Sequence, residues 1–144
     1  MDSTETHSGP RGMTISEHCR SCADAATKSG WYDEIDNIIG FLEREMGDKQ
    51  ASFVKKLFDG NRHMLITSEI AESFEGLRKD KADDHLPHLS SVAVEMADTV
   101  IRIADFCGKN GIPLEAAIVQ KMAYNAVRKD HQQANRDAPG GKKF

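Results

Sequence analysis

Several things that would place a chain outside the cell, in a bilayer or on a nucleic acid are missing here. Cysteine occurs only three times, an odd number in a chain large enough to fold without cross-links. A disulfide framework is therefore not expected, and a reducing, cytoplasmic compartment is. There is no run of about 18 apolar residues to cross a membrane. The polar start, with its glycines and proline, has no apolar stretch of the kind a signal peptide uses. Positive charge is not in excess either: 19 Lys and Arg face 23 Asp and Glu, a net charge of -4, which argues against DNA or RNA as the main partner. With 39% hydrophobic and 29% charged residues in 144, the chain suffices for one compact domain rather than two.

What is present is helical spacing. Residues 1–15 carry no apolar period and read as a flexible segment. From Ser16 to Pro87 the only helix breakers are glycines. Ile35, Ile38, Ile39 and Leu42 form one stripe, ending near Gly47. A longer segment, Gln50 to Asp80, has a possible break at Gly60 and Asn61 and a stripe of Ile66, Ile70, Phe74 and Leu77. After the polar linker from Lys81 to Pro87, a helix is expected from His88 to Lys109, with Leu89, Val92, Met96, Val100, Ile103 and Cys107 on one side. Asn110, Gly111 and Pro113 make a stop and a restart, and a last helix runs from Pro113 to about His131. The expected fold is an all-α bundle of about four or five helices over residues 16–134, with 135–144 as a flexible basic tail.

Two carboxylate pairs stand out, Glu69-Ile-Ala-Glu72 and Glu95-Met-Ala-Asp98. Residues three apart on a helix share a face, so each pair can aim its oxygens at one point. Both pairs flank their apolar stripes at a similar angle. If the stripes pack on each other or on a shared core, the four acids converge. Converged carboxylates repel unless a cation lies between them, and hard oxygen donors suit Mg2+, with Mn2+ as a substitute. The rival reading is solvated acids on helix faces. A di-iron bundle would need Glu-x-x-His pairs, and neither pair ends in His. On the last helix Lys121, Asn125 and Arg128 continue a line begun by Leu114 and Ile118. Cations and an amide near a metal-binding acid cluster suit phosphate oxygens.

Glu69-x-x-Glu72 followed by Glu95-x-x-Asp98, with Met64 to Arg78 and Lys121-Met-Ala-Tyr-Asn125-Ala-Val-Arg128 around them, resembles the MazG-like all-α nucleoside triphosphate pyrophosphohydrolases. The resemblance covers about residues 60–131. It implies cleavage of a nucleoside triphosphate, dNTPs included, between the α and β phosphates, for nucleotide pool control. It also implies Mg2+ on Glu69, Glu72, Glu95 and Asp98, with Glu69 or Glu72 taking the proton of the attacking water. Lys121, Asn125 and Arg128 would contact the substrate, in a homodimer or homotetramer. Members selective for cytosine nucleotides tend to carry a tryptophan soon after the first acid pair, where this chain reads Ser73-Phe-Glu-Gly-Leu-Arg78. The alternative is a catalytically silent, metal-binding helical regulatory or interaction module.

Other residues carry less. His18, Cys19 and Cys22 could begin a zinc site, but no second pair follows. His85 and His88 read as solvated loop residues, and His63 as packed or capping. Trp31 or Tyr32 could stack on a nucleobase or simply pack. Gly108 to Gly111 lacks the spacing of a phosphate-cradling loop. Lys142 and Lys143 could fold over a bound triphosphate or form part of a disordered terminus.

Overall fold

The computed structural model of the chain describes residues 12–128, 132–137 and 139–140. Among them are six helices: α1 (Ile15–Lys28), α2 (Asp33–Met46), α3 (Asp48–Lys79), α4 (Ser91–Lys109), α5 (Leu114–Val127) and α6 (Gln133–Asp137). No strand occurs among the described residues, only an isolated antiparallel bridge from Ala82 to Ser90. The all-α expectation holds, with six helices in place of four or five. The unexpected one, α6, is five residues long and lies in a polar stretch without apolar period. The chain clusters into two compact units, Met1–Ile112 and Pro113–Phe144. Residues 1–11, and with them most of the expected flexible start, lie outside the described residues, as do Lys142 and Lys143.

Local chemistry accounts for the boundaries. Thr14 caps α1 through a reciprocal pair: its Oγ1 accepts from the Glu17 backbone N–H at 3.2 Å, and Glu17 Oε2 accepts from the Thr14 N–H at 2.7 Å. Gly47 alone separates α2 from α3, at φ 90°, a conformation open to glycine. Gly60 and Asn61 do not interrupt α3, which runs for 32 residues. A mid-helix glycine costs only about 1 kcal/mol, less than packing along several turns returns. α4 begins three residues later than expected. Asp83 Oδ1 accepts from the backbone N–H of His85 and Leu86, at 2.9 and 2.7 Å, holding the chain in a turn until Ser90 caps the helix.

In the first unit α4 packs against both α1 and α3, and α2 packs on α3. The contact of α1 with α4 is close because its residues are small. Cys19 and Ala23 of α1 and Ala104 and Cys107 of α4 are buried, and a Cβ on Gly108 would lie 2.2 Å from the Cys19 carbonyl oxygen. α3 and α4 run antiparallel along a polar seam. From one end it joins Gly76 to Ser91, Glu69 to Arg102, Arg62 to Asp105 and Lys55 to Asn110. The α3 members recur every seven residues, about two helical turns, so they form one line.

The apolar stripes of α3 and α4, whose packing was the condition for the acids to converge, do not form this seam, although Cys107 is buried and Ile66, Val92 and Ile103 are half-buried. Phe74 and Leu77 are 60% and 66% exposed, and Ile70, Met96 and Val100 are exposed as well. The face of α3 toward α4 is the one with charges, small residues and glycine.

Candidate metal centre

The close approach of α3 to α4 at Gly76, where a Cβ would come within 2.6 Å of Ser91 Oγ, brings the two carboxylate pairs alongside each other one to two turns away. Oxygens of Glu69, Glu95 and Asp98 lie within 4.8 Å of one another, the only group of three or more potential metal-ligating side chains among the described residues. Glu69 is buried and Glu95 half-buried. Glu72, the fourth expected ligand, is exposed and outside this triad, although its charge acts on Glu95. The Glu95 carboxyl is held above the usual glutamate range by burial first, then by the Glu72 charge and by a hydrogen bond and charge from Glu69. Three hard, anionic oxygen donors this close fit a small divalent cation of the Mg2+ or Mn2+ kind.

A guanidinium sits on the triad. Arg102 Nε donates to Glu69 Oε1 at 2.6 Å, with Glu69 only 7% exposed and the Arg102 side chain 42% exposed. Arg102 and Asp98 also line a cavity of about 600 Å3, together with Arg62, Asp105, Cys22 and Trp31. Trp31 is 76% exposed while lining this cavity. Tyr32, its neighbour in sequence, is buried in the core, where its hydroxyl donates to Asp105 Oδ1 at 2.6 Å. Burial, and then that hydrogen bond, push the Tyr32 hydroxyl well above its ordinary titration.

Arg62 pairs with Asp105 and lies 4.8 Å from the Tyr32 ring centre, while its Nε is buried and finds no acceptor among the described residues. Lys109 Nζ lies 4.3 Å from the same ring and 2.6 Å from Asp36 Oδ2. The cavity is thus lined by two guanidiniums and an indole with Asp98 of the acid triad in its wall, a combination suited to a phosphate-bearing, ring-containing ligand.

Other sequence candidates resolve differently. His18 Nε2 and Cys22 Sγ lie 3.7 Å apart, and burial, followed by the charges of Asp105 and Cys19, holds the Cys22 thiol above its ordinary value. It is a neutral thiol beside a histidine, and no third ligand joins them among the described residues. His63 Nδ1 lies 2.7 Å from the Asp59 carbonyl and its ring meets Phe106 edge-on at 4.6 Å, a packed and capped residue. His85 and His88 stay in the exposed loop.

In the second unit, Lys121 and Arg128 both approach the Tyr124 ring, at 4.9 and 5.6 Å from its centre. α5 ends at Val127 rather than His131, so Arg128 is extended backbone beyond the helix and not a continuation of the Lys121 and Asn125 line.

Four residues at the site went unremarked in the sequence: Arg62, Arg102, Asp105 and, as a hydrogen-bonding group, Tyr32. A signal existed for three. Arg102 and Asp105 stand one and two turns beyond Asp98 on the same face of α4, and Arg62 two turns before Glu69 on α3. Comparison with protein-family models, curated proteins and solved structures finds no match to this chain. No helix among the described residues is long and apolar enough to cross a membrane.

Proposed function

We propose that this chain is a divalent-cation-dependent nucleoside triphosphate pyrophosphohydrolase of the MazG-like kind. It converts nucleoside triphosphates, dNTPs included, to the monophosphate and pyrophosphate in the cytoplasm. The observation that carries the reading is the convergence of Glu69, Glu95 and Asp98 within 4.8 Å, with Asp98 and two arginines in the wall of one cavity. Arg102 offsets one of the three charges, and the carboxylates beyond that pair still raise one another's cost of ionisation, which favours a cation among them.

In this reading Glu69, Glu95 and Asp98 hold Mg2+ or Mn2+, and Glu72 stands at the edge of the triad. A bound ion at such a site neutralises phosphate charge and lowers the pKa of a coordinated water. The chain supplies the rest. Glu69 or Glu72 accepts the proton of the attacking water, and Arg62 lines the cavity as a second cation. The cavity walls orient the nucleoside. Lys121, Asn125 and Arg128 enter as substrate contacts through the resemblance alone. Exposed Ile70, Phe74, Leu77, Met96 and Val100 support assembly as a homodimer or homotetramer.

The test is incubation with Mg2+ and each common ribo- and deoxyribonucleoside triphosphate, resolving nucleotide products, pyrophosphate and phosphate. The expected result is monophosphate plus pyrophosphate, lost in Asp98→Asn and Glu72→Gln without loss of fold. Mg2+-dependent stabilisation without product from any nucleotide would point instead to the silent metal-binding module. Diphosphate plus phosphate would refute the cleavage position.

A further inference from the structure

Glu69 is the one member of the triad that is buried, and Arg102 is its cation. Arg102 Nε donates to Glu69 Oε1 at 2.6 Å, the kind of partner a buried carboxylate requires. A divalent ion entering among Glu69, Glu95 and Asp98 neutralises the same carboxylate, and ion and guanidinium then repel across it. The Arg102 side chain is 42% exposed and lines the cavity that also holds Asp98 and Arg62, so it has somewhere to turn without unfolding anything.

We propose that Arg102 is a phosphate-binding arm kept in reserve by Glu69: it pairs with Glu69, yields that carboxylate to a divalent ion, and turns into the cavity to grip a phosphate oxygen of the substrate. The planar guanidinium, with several N–H donors, suits both the carboxylate it leaves and the phosphate it takes. Ion and arm compete for one carboxylate, so removing the arm tightens metal binding while weakening substrate binding. A residue that merely orients Glu69 would weaken both. The phosphate half of this proposal rests on the pyrophosphohydrolase reading; the competition with metal does not.

The experiment measures Mn2+ binding to the nucleotide-free chain by the paramagnetic signal of free Mn2+, for wild type, Arg102→Ala and Arg102→Lys. Steady-state pyrophosphate release is measured on the same proteins, with melting temperatures as a check on folding. Arg102→Ala is expected to bind Mn2+ about fivefold or more tightly. Its KM for the triphosphate should rise about tenfold or more, the loss of one charge-assisted contact, while kcat changes little. Arg102→Lys, which keeps the charge on an exposed, flexible side chain that folds in place of arginine, should recover part of the KM.

Mn2+ affinity unchanged or weakened in Arg102→Ala overturns the proposal whether or not wild type turns over. A fall in kcat with KM unchanged overturns the phosphate role. Tighter Mn2+ binding in Arg102→Ala, with no pyrophosphate from any nucleotide in wild type, refutes the catalytic reading and the phosphate half together and leaves the competition for Glu69 standing.

Discussion

Asp105 is the residue on which the first unit turns. Its two carboxylate oxygens are taken by the Tyr32 hydroxyl and by Arg62, and both partners are tied to each other through the cation-ring contact. Removing one side of a buried pair leaves the other charge without compensation, so Asp105→Ala is expected to destabilise by about 3–5 kcal/mol. Tyr32→Phe, which removes one hydrogen bond and keeps the ring, should cost only about 1 kcal/mol. Urea unfolding of both variants checks the ratio.

At Glu95 the sign of the pH dependence is set by what is bound. With no metal, the raised carboxyl contributes stability that is fully present below the ordinary glutamate pKa and is lost as pH rises through its raised value. With Mn2+ the ligands must be deprotonated, so the metal-induced rise in melting temperature should be large at neutral pH and fade on acidification. Melting curves with and without Mn2+ across pH check both directions. The carboxylates Glu69, Glu95 and Asp98 were legible in the sequence because i, i+3 spacing is a local property. Their partners were not, because pairing Arg102 with Glu69 or Arg62 with Asp105 depends on how two helices meet.

At the scale of elements, close approach is bought with missing side chains. A methyl at Gly108 meets the Cys19 carbonyl oxygen, a backbone atom that cannot turn aside. Gly108→Ala should therefore push α1 from α4 and cost about 1–3 kcal/mol, seen as a lower melting temperature. Gly76→Ala meets the Ser91 side chain instead and pries α3 from α4 beside the acid triad, so weaker Mn2+ binding should accompany the loss of stability. Helix existence and the breaks at Gly47 and at Asn110 to Pro113 were readable from capping and breaker residues. The apolar stripes identified the helices correctly, and on α2 Ile35, Ile39 and Leu42 are half-buried as expected, but on α3 the stripe misidentified the face that meets α4. A stripe records only that some partner covers it, and α3 turns its charged line, not Ile70, Phe74 and Leu77, toward α4.

At the scale of the whole molecule, those exposed apolar residues have to be answered for. Large exposed apolar surface on a chain with a core as slight as Cys19, Ala23, Tyr32, Ala51, Ala104 and Cys107 suits a protein completed by association with copies of itself. On the proposed self-association, the wild-type chain should run as a dimer or tetramer and paired Phe74→Asp and Leu77→Asp substitutions, both at strongly exposed positions, as a monomer. Light scattering coupled to gel filtration reads this directly. No pattern within one chain tells which apolar residues its own helices cover, so the exposure of Ile70, Phe74 and Leu77 was hidden in the sequence.

The polar seam between α3 and α4 has a bearing on how the chain finds its fold. An apolar seam tolerates sliding, since one leucine serves much like another. This one does not. A slip of one turn in one direction would set Arg62 opposite Lys109 and Glu69 opposite Phe106; in the other, Arg62 would face Ile101 and Glu69 would face Asp98. Each misalignment buries a charge against its like or against hydrocarbon. The same residues that build the cavity and its acid cluster therefore act as a key that admits a single alignment of the two longest helices.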